Sequence, residues 1–368
     1  MTDTGRFIRN VLLKALLLFL AVSGLFAVLH PMAALGRLSL YNGLVPGRLR
    51  LPYGEHPSSD YNLSLFNLDA MFASHEIAAA PAPGEFRVVL IGDSSTWGYL
   101  LSPAQTVSAL INSRGADHLH VSNLGYPTLS ATKDLLMMQS ALRYHPDLIV
   151  WLVTLESLPQ SKQLDSPILQ HNADSVRALI ARYGLHSDPA DPRLITPTFW
   201  DQTLPGERRN LADLIRLQMY GFLWAATGVD QSFPAHYDPP QKDLDPDQSF
   251  HGLMPPSLSA EDIALDVLDA GRGMAGVVPV WIVNEPIYLS TGSNSDIRYN
   301  FFYPRWAYDD YRRILAGWCR DHNVKYLDAW NLVPAEDFSN SAIHRTPQGE
   351  ALMADWLEAA IVEERNAL

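Results

Sequence analysis

Three short apolar runs, near 87–91, 119–123 and 148–153, alternate with segments of helical periodicity. This alternation constrains the fold more than any other feature of the chain. The third run, Leu148 to Val153, is wholly apolar, as strands buried on both faces are. Helical segments near 103–113 and 130–143 lie between the runs, and the first opens on Ser102-Pro103, a cap followed by proline. A β-α-β-α-β order predicts an α/β fold, with a parallel sheet covered by helices on both faces. The alternation resumes with a helix near 260–272, a strand over 277–283, a helix near 305–322, a short strand over 324–327 and a final helix over about 347–366.

Between about 157 and 260 the alternation breaks. That stretch is rich in Asp and Pro and reads as an insertion with helical patterns near 172–183 and 208–227. The second pattern turns apolar at its end, at Tyr220, Phe222, Leu223 and Trp224. It either packs on the main domain or forms a lid or a surface that touches membrane or partner. Residues 31–84 read as an irregular lead-in whose last part, Ala78 to Gly84, looks like a linker. The expected organisation is a membrane anchor over 1–30, the lead-in over 31–84 and one domain over 85–367.

The 368 residues carry a formal net charge of −13, which argues against a nucleic-acid partner. The single cysteine, Cys319, cannot form an internal disulfide and reads as a small buried apolar residue. Near the N-terminus, Arg6, Arg9 and Lys14 precede or punctuate an apolar run from Val11 to Leu29. From Ala15 to Leu29 there is no charge, and with Lys14 snorkelling the run approaches the length of a bilayer span. A cleaved signal peptide and a buried core helix are the competing readings. The lack of a small-x-small site before Pro31 favours an uncleaved single-pass anchor. Basic residues ahead of the run predict a cytoplasmic tip and an extracytoplasmic main domain, with Arg37, Arg48 and Arg50 pulling the other way.

The first strand ends in Gly92-Asp93-Ser94, and a helix-like segment follows. A serine there has its hydroxyl at the carboxyl rim of the sheet, where open α/β folds place their chemistry, beside unpaired backbone N–H groups. Serine needs a base to take its proton. Among 12 histidines, His344, in the loop before the final helix, is the best placed. Donors for a developing oxyanion are the Ser94 N–H and Gly125, which closes the second strand. Asn284-Glu285-Pro286 ends another strand at the same rim and is either a cap and turn or a pair of substrate-binding side chains. The aromatic and basic stretch 298–306 either contacts carbohydrate or fills the core. No zinc-ligand spacing and no phosphate loop is present, so neither a metal nor a cofactor is expected.

In these residues the chain resembles the SGNH, or GDSL-type, hydrolase superfamily. Gly92-Asp93-Ser94 resembles its first block, Asn123-Leu124-Gly125 its second, and His344-x-Thr346-Pro347-x-Gly349 its last. The resemblance covers roughly 85–155 and 275–367. It implies a flavodoxin-like three-layer α/β/α sandwich with Ser94 as nucleophile, His344 as base and Gly125 in the oxyanion hole. Two positions depart from the pattern. The third block lacks its asparagine, leaving Thr154 as a hydroxyl donor beside Glu156, and Ser341 stands three before His344 where the family has aspartate. Asn340, one residue further back, could orient the imidazole through its carbonyl oxygen.

The resemblance implies a serine esterase or an O-acyltransferase acting on acyl esters of glycans outside the cytoplasm. Anchored members often act in O-acetylation of cell-surface polysaccharide, some beside a membrane-bound O-acyltransferase, which would then be a partner. The departures keep open a catalytically weak or inactive module that binds glycan or a membrane partner, and a cleaved, secreted esterase is the third reading.

Overall fold

The computed structural model describes residues 3–45, 47–54, 63–115, 118–256 and 258–367. Five parallel strands, β1 (Phe86–Ile91), β2 (Leu119–Asn123), β3 (Leu148–Val153), β4 (Val280–Asn284) and β5 (Lys325–Asp328), form one sheet in the order β2-β1-β3-β4-β5. This is the flavodoxin-like order, and its switch point lies between β1 and β3. The two faces of the sheet separate by strict alternation. Val89, Ile91, Ile149, Trp151, Val153 and Ile282 join the larger core, under helices Ala131–Ala141, Leu265–Ala275 and Arg305–Asp321. Val88, Leu90, Val121, Val150, Leu152 and Val283 join the smaller core, under Val107–Ser113 and Pro347–Ala367. The architecture is therefore a three-layer α/β/α sandwich.

Local chemistry sets the helix starts. Thr106 caps Val107–Ser113 after a short 3-10 turn at Pro103–Gln105, so the proline signal marks that turn and the α-helix begins behind it. Ser130 caps Ala131–Ala141 through the Lys133 N–H. The helix expected from 208 begins at Leu204, where Thr203 caps it and proline stands in its first turn.

The lead-in, expected to be irregular, carries the short helices Met32–Gly36, Leu40–Leu44 and Leu68–Ala73 and is no spacer. Leu51, Met71, Phe72 and Ile77 are buried in the larger core, and Arg50 forms a parallel bridge to Asn123 at the end of β2. Arg50 is itself buried, paired through two 2.6 Å bonds with Asp230 of the mid-chain segment, and lies 3.9 Å from the centroid of Trp97. Asp3–Leu29 is a single helix, long and apolar enough to cross a membrane. Its last turns pack on Leu204–Thr227, with Ser23 and Ala27 buried.

Candidate active site

Ser94 sits where β1 breaks into the short helix Ser94–Trp97. Asp93 caps that turn, its Oδ1 accepting from the Ser95 N–H at 2.8 Å. Gly92 is required because a Cβ there would lie 2.2 Å from Thr96 Oγ1. The buried Lys133 ammonium donates to the Gly92 carbonyl at 2.7 Å and the Tyr126 carbonyl at 2.9 Å, fixing the exits of β1 and β2 to one point.

His344 comes from a loop closed by an antiparallel bridge between Phe338 and Arg345. The Ser339 N–H donates to the His344 carbonyl at 2.8 Å, and the Tyr288 N–H ties Ala342 to the segment leaving β4 at 2.7 Å. The loop places His344 Nε2 2.8 Å from Ser94 Oγ, across 250 residues of sequence. Nδ1 lies 3.1 Å from Asn340 Oδ1, so an Nδ1–H donated to that oxygen leaves Nε2 as the acceptor facing the serine. Tyr99 packs against the imidazole at a 4.8 Å centroid distance. Burial, with the neighbouring Arg345 charge, pushes the imidazole down to about 3 and keeps it neutral. Neither Ser341 nor Asp337 orients the ring: the Asp337 carbonyl and carboxylate both engage Thr346.

The donors for an oxyanion are arranged less openly. The Ser94 N–H stands in the first turn of its helix, where no intrahelical acceptor exists. Gly125 lies against that turn, since a Cβ would come within 2.4 Å of the Trp97 nitrogen, but its N–H donates to Asn123 Oδ1 at 3.0 Å. The Thr154 hydroxyl is fully buried and pairs with Tyr303 Oη at 2.8 Å. Glu156 turns to Lys162 and to His251, at 2.9 Å from His251 Nε2.

Asn284 and Glu285, expected as substrate-binding residues, are instead structural. Asn284 is buried; its amide donates to Asp328 at 2.8 Å and its oxygen accepts from Tyr308 and Tyr311 at 3.2 and 3.1 Å. Its carbonyl oxygen and one amide N–H are thus held by neighbouring side chains, at a position with no solvent exposure. Glu285 is buried behind the nucleophile turn, accepts from Ser95 Oγ and lies 3.7 Å from Arg345. Burial, with the nearby Asp93 carboxylate, holds its carboxyl well above the usual range, against the pull of Arg345. The 298–306 stretch also serves the core: Tyr299 and Tyr303 are buried, and Arg298 donates to the carbonyls of Asn300, Phe301 and Asp247.

Two residues behind the site had no sequence signal. Arg345 joins Glu350 at 2.7 Å, and Glu350 in turn accepts from the Val107 N–H at 3.0 Å. Lys133 lies within a helix, a position normally solvated, and only the tertiary fold buries it. No group of three or more His, Cys, Asp or Glu side chains arranged to hold a metal occurs among the described residues.

No family model matches the chain, and no curated protein does. Among solved structures it is similar to an aryl esterase from M. smegmatis, at 12% identity and TM-score 0.36, covering 75% of this chain and 98% of that one. It is similar to a carbohydrate acetylesterase from Sinorhizobium meliloti, at 12% identity and TM-score 0.36, covering 76% and 99%. A member of the lipolytic protein G-D-S-L family from Veillonella parvula matches at 13% identity and TM-score 0.33, covering 76% and 98%. Likeness at this level says nothing about substrate.

Proposed function

We propose that this chain is a membrane-anchored serine enzyme of SGNH type acting on acyl esters, either hydrolysing them or passing the acyl group to a hydroxyl. The observation that carries this reading is the 2.8 Å contact between Ser94 Oγ and His344 Nε2, with Asn340 Oδ1 behind the ring. Nucleophile and base within hydrogen-bond reach, with a third group orienting the base, is the arrangement acyl transfer needs.

In the first step Ser94 Oγ attacks the ester carbonyl carbon while His344 Nε2 takes the hydroxyl proton. The carbonyl oxygen becomes an oxyanion held by the Ser94 N–H, with Gly125 able to join if its N–H turns from Asn123. Collapse expels the alcohol, protonated by His344, and leaves an acyl-serine. Water or a second hydroxyl, deprotonated by His344, then releases the acyl group as acid or new ester. Asn340 steers the ring without supplying negative charge, so the imidazolium gains less than it would from aspartate.

The anchored, extracytoplasmic reading rests on the Asp3–Leu29 helix and the basic residues at its start. Acyl-bearing glycan is the substrate class we favour, and a membrane-bound O-acyltransferase is the corresponding partner. A second reading, a weakly active module that binds glycan, draws on the engaged Gly125 N–H and Thr154 hydroxyl.

A fluorophosphonate serine probe on the full chain separates the two. Labelling that disappears in both Ser94→Ala and His344→Ala is the expected result. Folded protein that resists the probe would sink the enzymatic reading and leave the binding module.

A further inference from the structure

Helix Leu204–Thr227 has two apolar faces. One is buried through Leu217, Gly221 and Trp224. Gly221 lies so close to the Tyr41 ring that a Cβ would sit 2.5 Å from it, and the Tyr41 N–H donates to Gln218 Oε1 at 3.1 Å. The other face carries Ile215, Met219, Phe222 and Leu223, which are 63%, 60%, 40% and 41% exposed. Their spacing makes one stripe along the helix. Leu38, Leu40 and Leu44, on the segment that packs against this helix, are more exposed still.

We propose that this stripe lies in the interface of a lipid bilayer, so that the chain holds the membrane by a span and by an in-plane amphipathic helix. Continuity singles out lipid as the occupant. The last turns of Asp3–Leu29 pack directly on Leu204–Thr227, while most of the apolar side chains of Asp3–Leu29 stay exposed. A depth that immerses Ser23 and Ala27 brings the adjoining turns of the second helix to the edge of the hydrocarbon. The composition fits that depth. Arg209 and Arg216, two cations sharing the one carboxylate of Asp213, are exposed on the same helix. Arg37, paired with Asp69, precedes the exposed leucines, and Phe199 and Trp200 stand exposed just ahead of the helix. Guanidinium groups meet headgroup phosphates, and aromatic rings favour the same boundary. An apolar surface of this continuity is unusual on a soluble monomer.

The docking fixes where the proposed chemistry happens. From Leu44 to Arg50 the chain can reach about 20 Å at most, and Arg50 donates to the Gly98 carbonyl at 2.8 Å, at the end of the nucleophile turn. Ser94 would then work close to the membrane surface, on esters presented there.

The inference rests on Asp3–Leu29 spanning the bilayer but not on catalysis, and its test reads neither from activity. In the full chain with Cys319→Ala, single cysteines are introduced as Met219→Cys, Leu20→Cys in the span and Val277→Cys at a fully exposed loop. Each is labelled with a small fluorophore in lipid nanodiscs. Acyl-chain nitroxide lipids and aqueous iodide serve as the two quenchers. The expected result is that Met219 behaves like Leu20, quenched by the lipid nitroxide and at least several-fold less sensitive to iodide than Val277. A Met219 label open to iodide while Leu20 is shielded places the stripe in water and overturns the proposal. A Met219 label shielded from both quenchers means protein covers the stripe, which also overturns it. Leu20 open to iodide removes the span and the proposal together, and leaves the Ser94 reading untouched.

Discussion

Arg345 donates to the Ser95 carbonyl at 3.2 Å. The residue after His344 thus holds the residue after Ser94, and the two loops that bring these side chains together are fixed to each other from behind. The same guanidinium reaches Glu350 and lies beside Glu285, with all three side chains buried. Arg345→Ala leaves the buried Glu350 carboxyl without its cation, and a loss of about 3–5 kcal/mol is expected. Arg345→Lys keeps the charge but not the fork geometry. It should fold, yet label with the serine probe roughly tenfold more slowly, because nucleophile and base lose their mutual register. Urea titration and labelling kinetics on the two variants check this pair of outcomes.

The depressed imidazole of His344 sets the pH response. A base must be neutral to accept a proton, and a histidine held near 3 stays neutral far below the usual 6.5. The probe-labelling rate should therefore be flat from pH 8 to pH 5, with the acid limb lower still. A sigmoidal fall centred near pH 6.5 would contradict this. The ring's chemical shift, followed by NMR through the same range, gives a check that does not depend on turnover.

In the proposed mechanism Asn340 orients the imidazole, and its chemistry can be upgraded. Asn340→Asp places a carboxylate 3.1 Å from Nδ1, which stabilises the imidazolium that forms during attack. The expected result is a roughly tenfold faster labelling rate, with an acid limb displaced to higher pH as the imidazole becomes more basic. Asn340→Ala should slow labelling without moving the acid limb upward.

Glu285 gives a stability prediction with a definite sign. Its folded carboxyl titrates well above the ordinary 4.5, so the unfolded chain ionises first as pH rises. The contribution to stability is complete below about 4.5 and is lost as pH climbs through the folded value. Glu285→Gln cannot ionise and keeps an acceptor for Ser95. Its stability relative to wild type should increase between pH 4.5 and pH 8, measured by urea unfolding at the two ends. A constant difference would mean the carboxyl is charged in the folded protein.

The sheet was legible because period-two burial and apolar runs are local properties. The second and third runs coincide with β2 and β3, while the strand expected over 277–283 begins only at Val280, because Val277 is apolar yet fully exposed ahead of β4. The contact between Ser94 and His344 was legible because each closes or precedes a regular element, and the turn chemistry of Gly92 and Pro347 marks those places. Asn284 and Glu285 could not be told from ligands by sequence, since a strand-end polar residue reads the same whether it faces solvent or the Tyr308–Tyr311 pair. Arg345 and Lys133 stayed hidden for a related reason. A buried cation announces itself only through partners that lie far off in sequence, as Ser95 does from Arg345.

The ion pair between Arg50 and Asp230 joins residues 180 apart in the chain, on either side of the nucleophile turn. Neither ion can be buried alone without a large penalty, so this wall of the site closes only after both the lead-in and the mid-chain segment have arrived. Such long-range closure belongs late in folding. It also sets the minimal autonomous fragment: a truncation beginning at residue 85 would discard Arg50 and Leu51 and leave Asp230 and Trp97 facing a gap, however intact its five strands.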